Sequence, residues 1–259
     1  MATIAARAPD LATVRRLEAV GFRAWPAASV RFDGAWQIRL TAGHPSRRLN
    51  SVNPLDPSDC RQIQARVANA VRLFDAYGRP AVFRMSPLAP SALDDFLSAE
   101  GWTVRDETQV MAADIAAIDL TGALDHLPLH DIGRYVDASL SLLGRDPALK
   151  PGLTEVLNAI RPARGLFVLE DGEGRPVSSL LCVHDNDLAG VFEVVTRPDC
   201  RRRGHGRSLI RSALRWARLR GARRAWLQVE TVNQPAITLY GSLGFEEVYR
   251  YVYRQRDDG

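Results

Sequence analysis

Between Val191 and Ser208 the chain reads Val-Phe-Glu-Val-Val-Thr-Arg-Pro-Asp-Cys-Arg-Arg-Arg-Gly-His-Gly-Arg-Ser. An apolar run leads into a loop with two glycines, and the loop opens a segment of helical periodicity. The first turn of a helix leaves backbone N–H groups unpaired and carries partial positive charge, so it suits a phosphate. Gly204 and Gly206 lack the Cβ that would hold a pyrophosphate off the backbone. Arg201, Arg202, Arg203 and Arg207 add charge-assisted donors around them. No Gly-Lys-Ser/Thr follows, which excludes a Walker loop. The third glycine and the later acid of a dinucleotide fingerprint are also missing.

Charge points to the same segment. Arginine supplies 33 of the 34 basic residues, Lys150 being the other, a usage that GC-rich codons would give without functional demand. Their distribution is the informative part. From Arg197 to Arg224 eleven arginines stand against one acid, Asp199, giving +10 in a chain whose total is +4 and leaving −6 for the rest. Such concentration suits a polyanionic ligand. One face of the expected helix carries Arg207, Arg211, Arg215 and Arg218, which raises the alternative of a nucleic-acid-binding module. Only Trp216 is available there for base stacking, which disfavours it.

With 259 residues the chain is long enough for two domains. No apolar run approaches the ~20 residues of a bilayer span, and Met1 to Asp10 lacks the apolar core of a signal peptide. Cys60, Cys182 and Cys200 are odd in number and widely spaced, with no metal-ligand spacing, so a cytoplasmic location without disulfides or metal is expected.

The pattern predicts α/β alternation throughout. In the first half it gives a helix after Asp10, strands at 35–40 and 47–52, a helix capped near Ser58 and ending before Gly78, a strand at 80–85, a helix at 90–100, and strand from 102 to 115. In the second half it gives two helices between 129 and 160, strands at 165–169, 176–183 and 190–196, a long helix, a strand at 224–230, a helix at 234–242 and strand to 253. Gly78-to-Trp102 and Gly221-to-Phe245 share one order of elements, which suggests a duplicated unit with one copy degenerate.

The second half resembles the GNAT superfamily of N-acetyltransferases. Arg201, Gly204 and Gly206 match its Gln/Arg-x-x-Gly-x-Gly/Ala signature after a strand and Pro198. Asn233, Ala236, Leu239-Tyr240 and Gly244-Phe245 match the second signature about 30 residues on. The match covers roughly 129–253. The ending, Trp226 to Glu230 and Tyr249-Arg250-Tyr251, looks like a bacterial subgroup with a long N-terminal extension. The resemblance implies an α/β (α+β) GNAT fold, a mixed and mostly antiparallel sheet flanked by helices, splayed at a bulge in the strand ending at Thr196. It divides the chain into an N-terminal α/β domain, 1–117, and an acetyl-CoA-binding catalytic domain, 118–259.

The resemblance also implies a reaction: transfer of an acetyl group from acetyl-CoA, as cosubstrate, to an amine. Pantetheine would pair near Val194, Val195 and Thr196, and pyrophosphate would rest on N–H groups of Arg202, Arg203, Gly204, His205, Gly206 and Arg207. Asn233 caps the next helix and is placed to touch pantetheine. Tyr240 matches the family tyrosine that protonates the leaving sulfur, and a phenol suits that task at neutral pH. Glu193 and Glu230 are the two candidates for the base, directly or through a water. His205 reads as a surface residue. The first half lacks Gly-x-Gly in 53–61 and has Leu97 where Tyr240 would fall. It is therefore expected to shape the acceptor pocket, stabilise the other half or mediate a homodimer. Arg47, Arg48, Asn50 and Asn53 are its polar candidates. A catalytically inactive CoA-binding regulator is the remaining alternative.

Overall fold

The computed structural model describes residues 9–122 and 126–256; residues 1–8, part of the segment read above for a signal peptide, lie outside them. Asp10 caps the first helix, α1 (Leu11–Ala24), accepting from the N–H groups of Ala12 and Thr13. A hairpin, β1 (Ser29–Asp33) and β2 (Trp36–Leu40), follows, and then β3 (Ser51–Pro54), α2 (Ile63–Ala76), β4 (Val82–Met85), α3 (Ser91–Ala99) and β5 (Thr103–Asp114). The second half contains α4 (Ile132–Leu143), α5 (Lys150–Ala159), β6 (Ala163–Glu170), β7 (Pro176–Asp185) and β8 (Leu188–Thr196). It ends with α6 (His205–Arg218), β9 (Arg224–Glu230), α7 (Gln234–Gly241) and β10 (Glu246–Gln255).

Three local readings need correction. The hairpin strand β1 was missed, although Val30 and Phe32 alternate with polar residues ahead of Asp33-Gly34, a hairpin signal. The strand expected at 47–52 begins only at Ser51. Asn50 ties the preceding turn instead, accepting from the Thr41 N–H at 2.7 Å and donating to the carbonyls of His44 and Ser46. Ser58 does not cap α2. It bonds to Asp56 in a turn, and the helix starts at Ile63 after Gln62 in a left-handed conformation. Asp59 is drawn away to the Ala35 N–H and to Arg66, whose guanidinium packs over Trp36.

The described strands form one mixed sheet in the order β1-β2-β3-β4-β10-β5-β9-β8-β7-β6. Two parallel pairs, β3 with β4 and β8 with β9, are the exceptions in an antiparallel sheet. Each belongs to a strand–helix–strand–helix–strand unit, the order anticipated from the sequence. The last strand of each unit lies in the other: β10 pairs with β4, and β5 pairs with β9. Between them β5 and β10 pair antiparallel from Thr103–Gln255 to Ala112–Glu246.

Period-two alternation distributes the core to both faces of the sheet. On β5, Val110 and Ala112 join a cluster with α1, α4 and α5, while Met111 and Ala113 face a cluster with α6 and α7. The faces of β4 divide likewise, Val82 toward the first cluster and Phe83 and Met85 toward α2 and α3. Across the junction Glu18 of α1, 2% exposed, pairs with Arg84 of β4 and accepts from the Tyr249 hydroxyl of β10 at 2.5 Å. No described helix is long and apolar enough to cross a membrane.

Because β5 completes the sheet of the second half, residues 118–259 alone would expose an unpaired edge on β9 and another on β10. Circular dichroism of that fragment should show no cooperative thermal transition, and coexpression with 1–117 should restore one. A sharp transition in the isolated fragment would contradict the exchange as a folding requirement.

Candidate active site

Strands β8 and β9 pair only from Leu188–Arg224 to Val191–Leu227 and then part. The cause is local. On the β7 side Leu181 faces Phe192 and Ser179 faces Val195, so β8 carries one more residue than its partner. Glu193 stands at that bulge with φ +50°. A left-handed Glu costs about 1–2 kcal/mol, and its side chain shows what offsets this. The carboxylate accepts from Arg48 Nη2 at 3.0 Å and from Arg145 Nη1 at 2.5 Å, and is only 6% exposed. Burial alone would raise its pKa, but the charges of Arg48 and Arg145 outweigh burial and hold it below the usual carboxylate range.

Past the bulge the backbone of β8 presents one edge to the opening. The Arg197 N–H reaches back to the Val177 carbonyl, and Ser178 Oγ bonds to the Val195 carbonyl, so these residues face β7. Alternation turns the N–H and C=O of Val194 and Thr196 the other way, toward β9. Thr196 leads into the glycine loop, where Arg201 Nε donates to its carbonyl at 3.2 Å. Arg202 (φ +64°) and Gly204 (φ +82°) turn the loop, and α6 starts at His205 with no side chain capping its N-terminus. Arg201, Arg202 and Arg203 are exposed, with no ion-pair partner among the described residues. A Cβ on Gly206 would sit in ordinary contact, 3.4 Å from Thr196 Oγ1 and 3.7 Å from Leu239, so only the further atoms of a branched side chain would crowd this loop. His205 is half-buried beside this loop.

The opening continues into a cleft of about 630 Å³. Val194, Glu230, Asn233 and Tyr240 line it on the side of β8, β9 and α7. Asn233 caps α7, accepting from the Ala236 N–H at 3.3 Å. Tyr240 is buried to 7% exposure with its ring tilted on Phe245, and burial pushes its phenol up to about 12. It therefore keeps its proton at neutral pH. Glu230, at the end of β9, is exposed and has no ion pair among the described residues. Val195 faces β7, and in the first half Leu97 of α3, at the position matching Tyr240, is fully buried in that half's core.

The opposite wall comes from the first half and from the turn after α4. Arg47 and Arg48 line it, Arg47 paired with Asp106. Asn50 and Asn53 do not reach it as ligand groups. Asn50 locks the 41–50 turn, and Asn53 Nδ2 bonds to the Ser51 and Gln37 carbonyls. Two residues here escaped the sequence reading. His44 lines the cleft with Nδ1 accepting from the Ser46 N–H, which leaves the proton on Nε2, and that nitrogen has no partner. Burial and then the charge of Arg145 hold His44 below the ordinary imidazole range. Arg145 lies in an unpatterned turn, and only folding brings it to Glu193. Gly152 lets α5 pack against the turn that carries His44, because a Cβ there would fall 1.8 Å from the Gly43 carbonyl oxygen.

Glu193→Gln should leave two guanidiniums about one-third exposed around a neutral group. We expect a loss of roughly 1–3 kcal/mol in urea denaturation at pH 7. The depressed pKa makes this contribution present above about pH 4.3, the unfolded value, and lost as the pH falls through the folded value. The Gln variant should accordingly lose less stability on acidification, and an unchanged midpoint at pH 7 would contradict the clamp.

Comparison with known proteins agrees with this arrangement. The family described as "Probable histone acetyltransferase Rv0428c C-terminal" matches residues 11–254. The Bacillus subtilis protein named uncharacterized N-acetyltransferase YobR is 27% identical over 248 residues, covering 93% of this chain and 98% of that protein. A GCN5-related N-acetyltransferase from Kribbella flavida shares the fold with TM-score 0.68 at 17% identity, covering 98% of each chain. A tandem GNAT protein from the clavulanic acid biosynthesis pathway does so with TM-score 0.61 at 16% identity, covering 94% of this chain and 88% of that one. With a splayed β8–β9 pair, a glycine-turned helix start and a family match over nearly the whole chain, the protein belongs to the GNAT superfamily of N-acetyltransferases, in the Rv0428c C-terminal family.

Proposed function

We propose that the chain transfers an acetyl group from acetyl-CoA to an amine, with one donor site per chain, in the second half. The observation that carries this reading is the continuity of the splayed β8 edge with the uncapped N-terminus of α6. A pantetheine arm can pair with Val194 and Thr196 as an added strand while its pyrophosphate meets the N–H groups from Arg202 to Arg207. Arg201, Arg202, Arg203 and Arg207 neutralise the phosphates. In the first half Asp59 and Arg66 occupy the corresponding strand-to-helix loop, which leaves no comparable cradle.

Acetyl-CoA supplies an activated thioester carbonyl. The Val194 N–H faces the opening and is the donor for that carbonyl oxygen. Tyr240, protonated at neutral pH, gives its proton to the departing sulfur. The amine must lose a proton to something else. Glu193 is engaged on both oxygens by Arg48 and Arg145, so we assign it to holding the bulge. Glu230 then serves as the base, directly or through a water. On the nucleic-acid alternative, Arg207 bonds to Ser242 and Arg211 to the Asp119 carbonyl, so these members of the arginine face are engaged within the molecule.

Tyr240→Phe keeps the ring and removes the proton. Its kcat should fall roughly 10²–10⁴-fold with acetyl-CoA affinity nearly unchanged; full activity where chemistry limits the rate would remove Tyr240 from the mechanism. Gly206→Val should weaken acetyl-CoA binding at least about tenfold in calorimetry, because the branched side chain crowds Thr196 and the phosphate approach. An unchanged Kd would shift the site away from this loop.

A further inference from the structure

The cleft is bipolar. On the wall built by the first half and the turn after α4, two guanidiniums converge on the single carboxylate of Glu193, each using one nitrogen for it. Arg48 and Arg145 keep 29% and 34% of their side-chain surface exposed while Glu193 keeps 6%. Two cations therefore share one anion, and their remaining N–H donors are available to the cleft they line. Near them, Arg47 and Asp106 cancel. At the end of β9 the charge reverses, with Glu230 bearing no ion pair among the described residues.

Resting on the acetyltransferase reading above, we propose that the acceptor is a small amine bearing a carboxylate, its ammonium drawn to Glu230 and its carboxylate to Arg48 and Arg145. One excess positive charge matches a monoanion, and a guanidinium pairs a carboxylate through two parallel hydrogen bonds. A phosphate dianion would leave charge uncompensated. A lysine-rich peptide would instead carry like charge past Arg47, Arg48 and Arg145. The wall joins Arg48 of the half without a cofactor loop to Arg145 of the turn after α4, so both halves contribute to acceptor selection. Arg145 and Arg48 thereby acquire two tasks, fixing the bulge and reading the substrate.

The experiment is a thiol-release assay with the full chain, acetyl-CoA and matched acceptors. These are free α- and ω-amino acids, their carboxamides, and a lysine-rich peptide with blocked ends. At least one free acid should be acetylated with kcat/KM about tenfold or more above its carboxamide, and Arg145→Gln should collapse that ratio. Arg145→Lys, which keeps the charge, should retain part of it, and thermal melts of both variants verify folding. Carboxamides turned over as well as acids, or acetylation of the peptide alone, would overturn the inference. Acetyl-CoA binding by calorimetry separates the two levels. Binding without turnover of any free acid overturns the acceptor class alone, whereas no binding overturns the acetyltransferase reading with it.

Discussion

Past Val191 one extra residue in β8 breaks its pairing with β9, and both the open strand edge and the cleft that continues it depend on that break. An unpaired strand edge inside a sheet is costly, since its N–H and C=O groups lose their partners. Here the break is kept open by a left-handed Glu193 whose carboxylate is held by arginines from two distant parts of the chain. Arg48 comes from the first half and Arg145 from the turn after α4. The interaction that fixes the bulge therefore also fixes the position of the opposite wall.

This coupling gives the first half a physical role without a cofactor loop of its own. Exchange of β5 and β10 merges the two units into one sheet, and the Glu18–Arg84–Tyr249 contact ties α1 to that junction. A wall so anchored holds Arg47, Arg48 and His44 against the cleft. Close contact of Gly152 with Gly43 brings α5 to the same turn. Both halves thus contribute walls to one cleft.

What the sequence conveyed was local. Asp10 announced α1, and the paired glycines announced the start of α6. Strand exchange left no local trace, because the apolar alternation of β10 is the same whichever strand it pairs with. Arg145 and His44 were equally silent, since an isolated Arg or His in a turn has no periodicity and gains meaning only from its neighbours in space. Glu193 was visible as a strand carboxylate, but its φ and its two arginine partners, which decide between base and clamp, are properties of the folded chain.

If, as we propose, the splayed edge of β8 and the N-terminus of α6 together hold acetyl-CoA and the first half has no equivalent, hydrogen–deuterium exchange with and without acetyl-CoA reads this directly. Exchange should slow in amides from Val194 to Arg207 and stay unchanged from 55 to 66, the matching loop of the first half. Protection of 55–66, or none at Val194 to Arg207 under saturating acetyl-CoA, would contradict it.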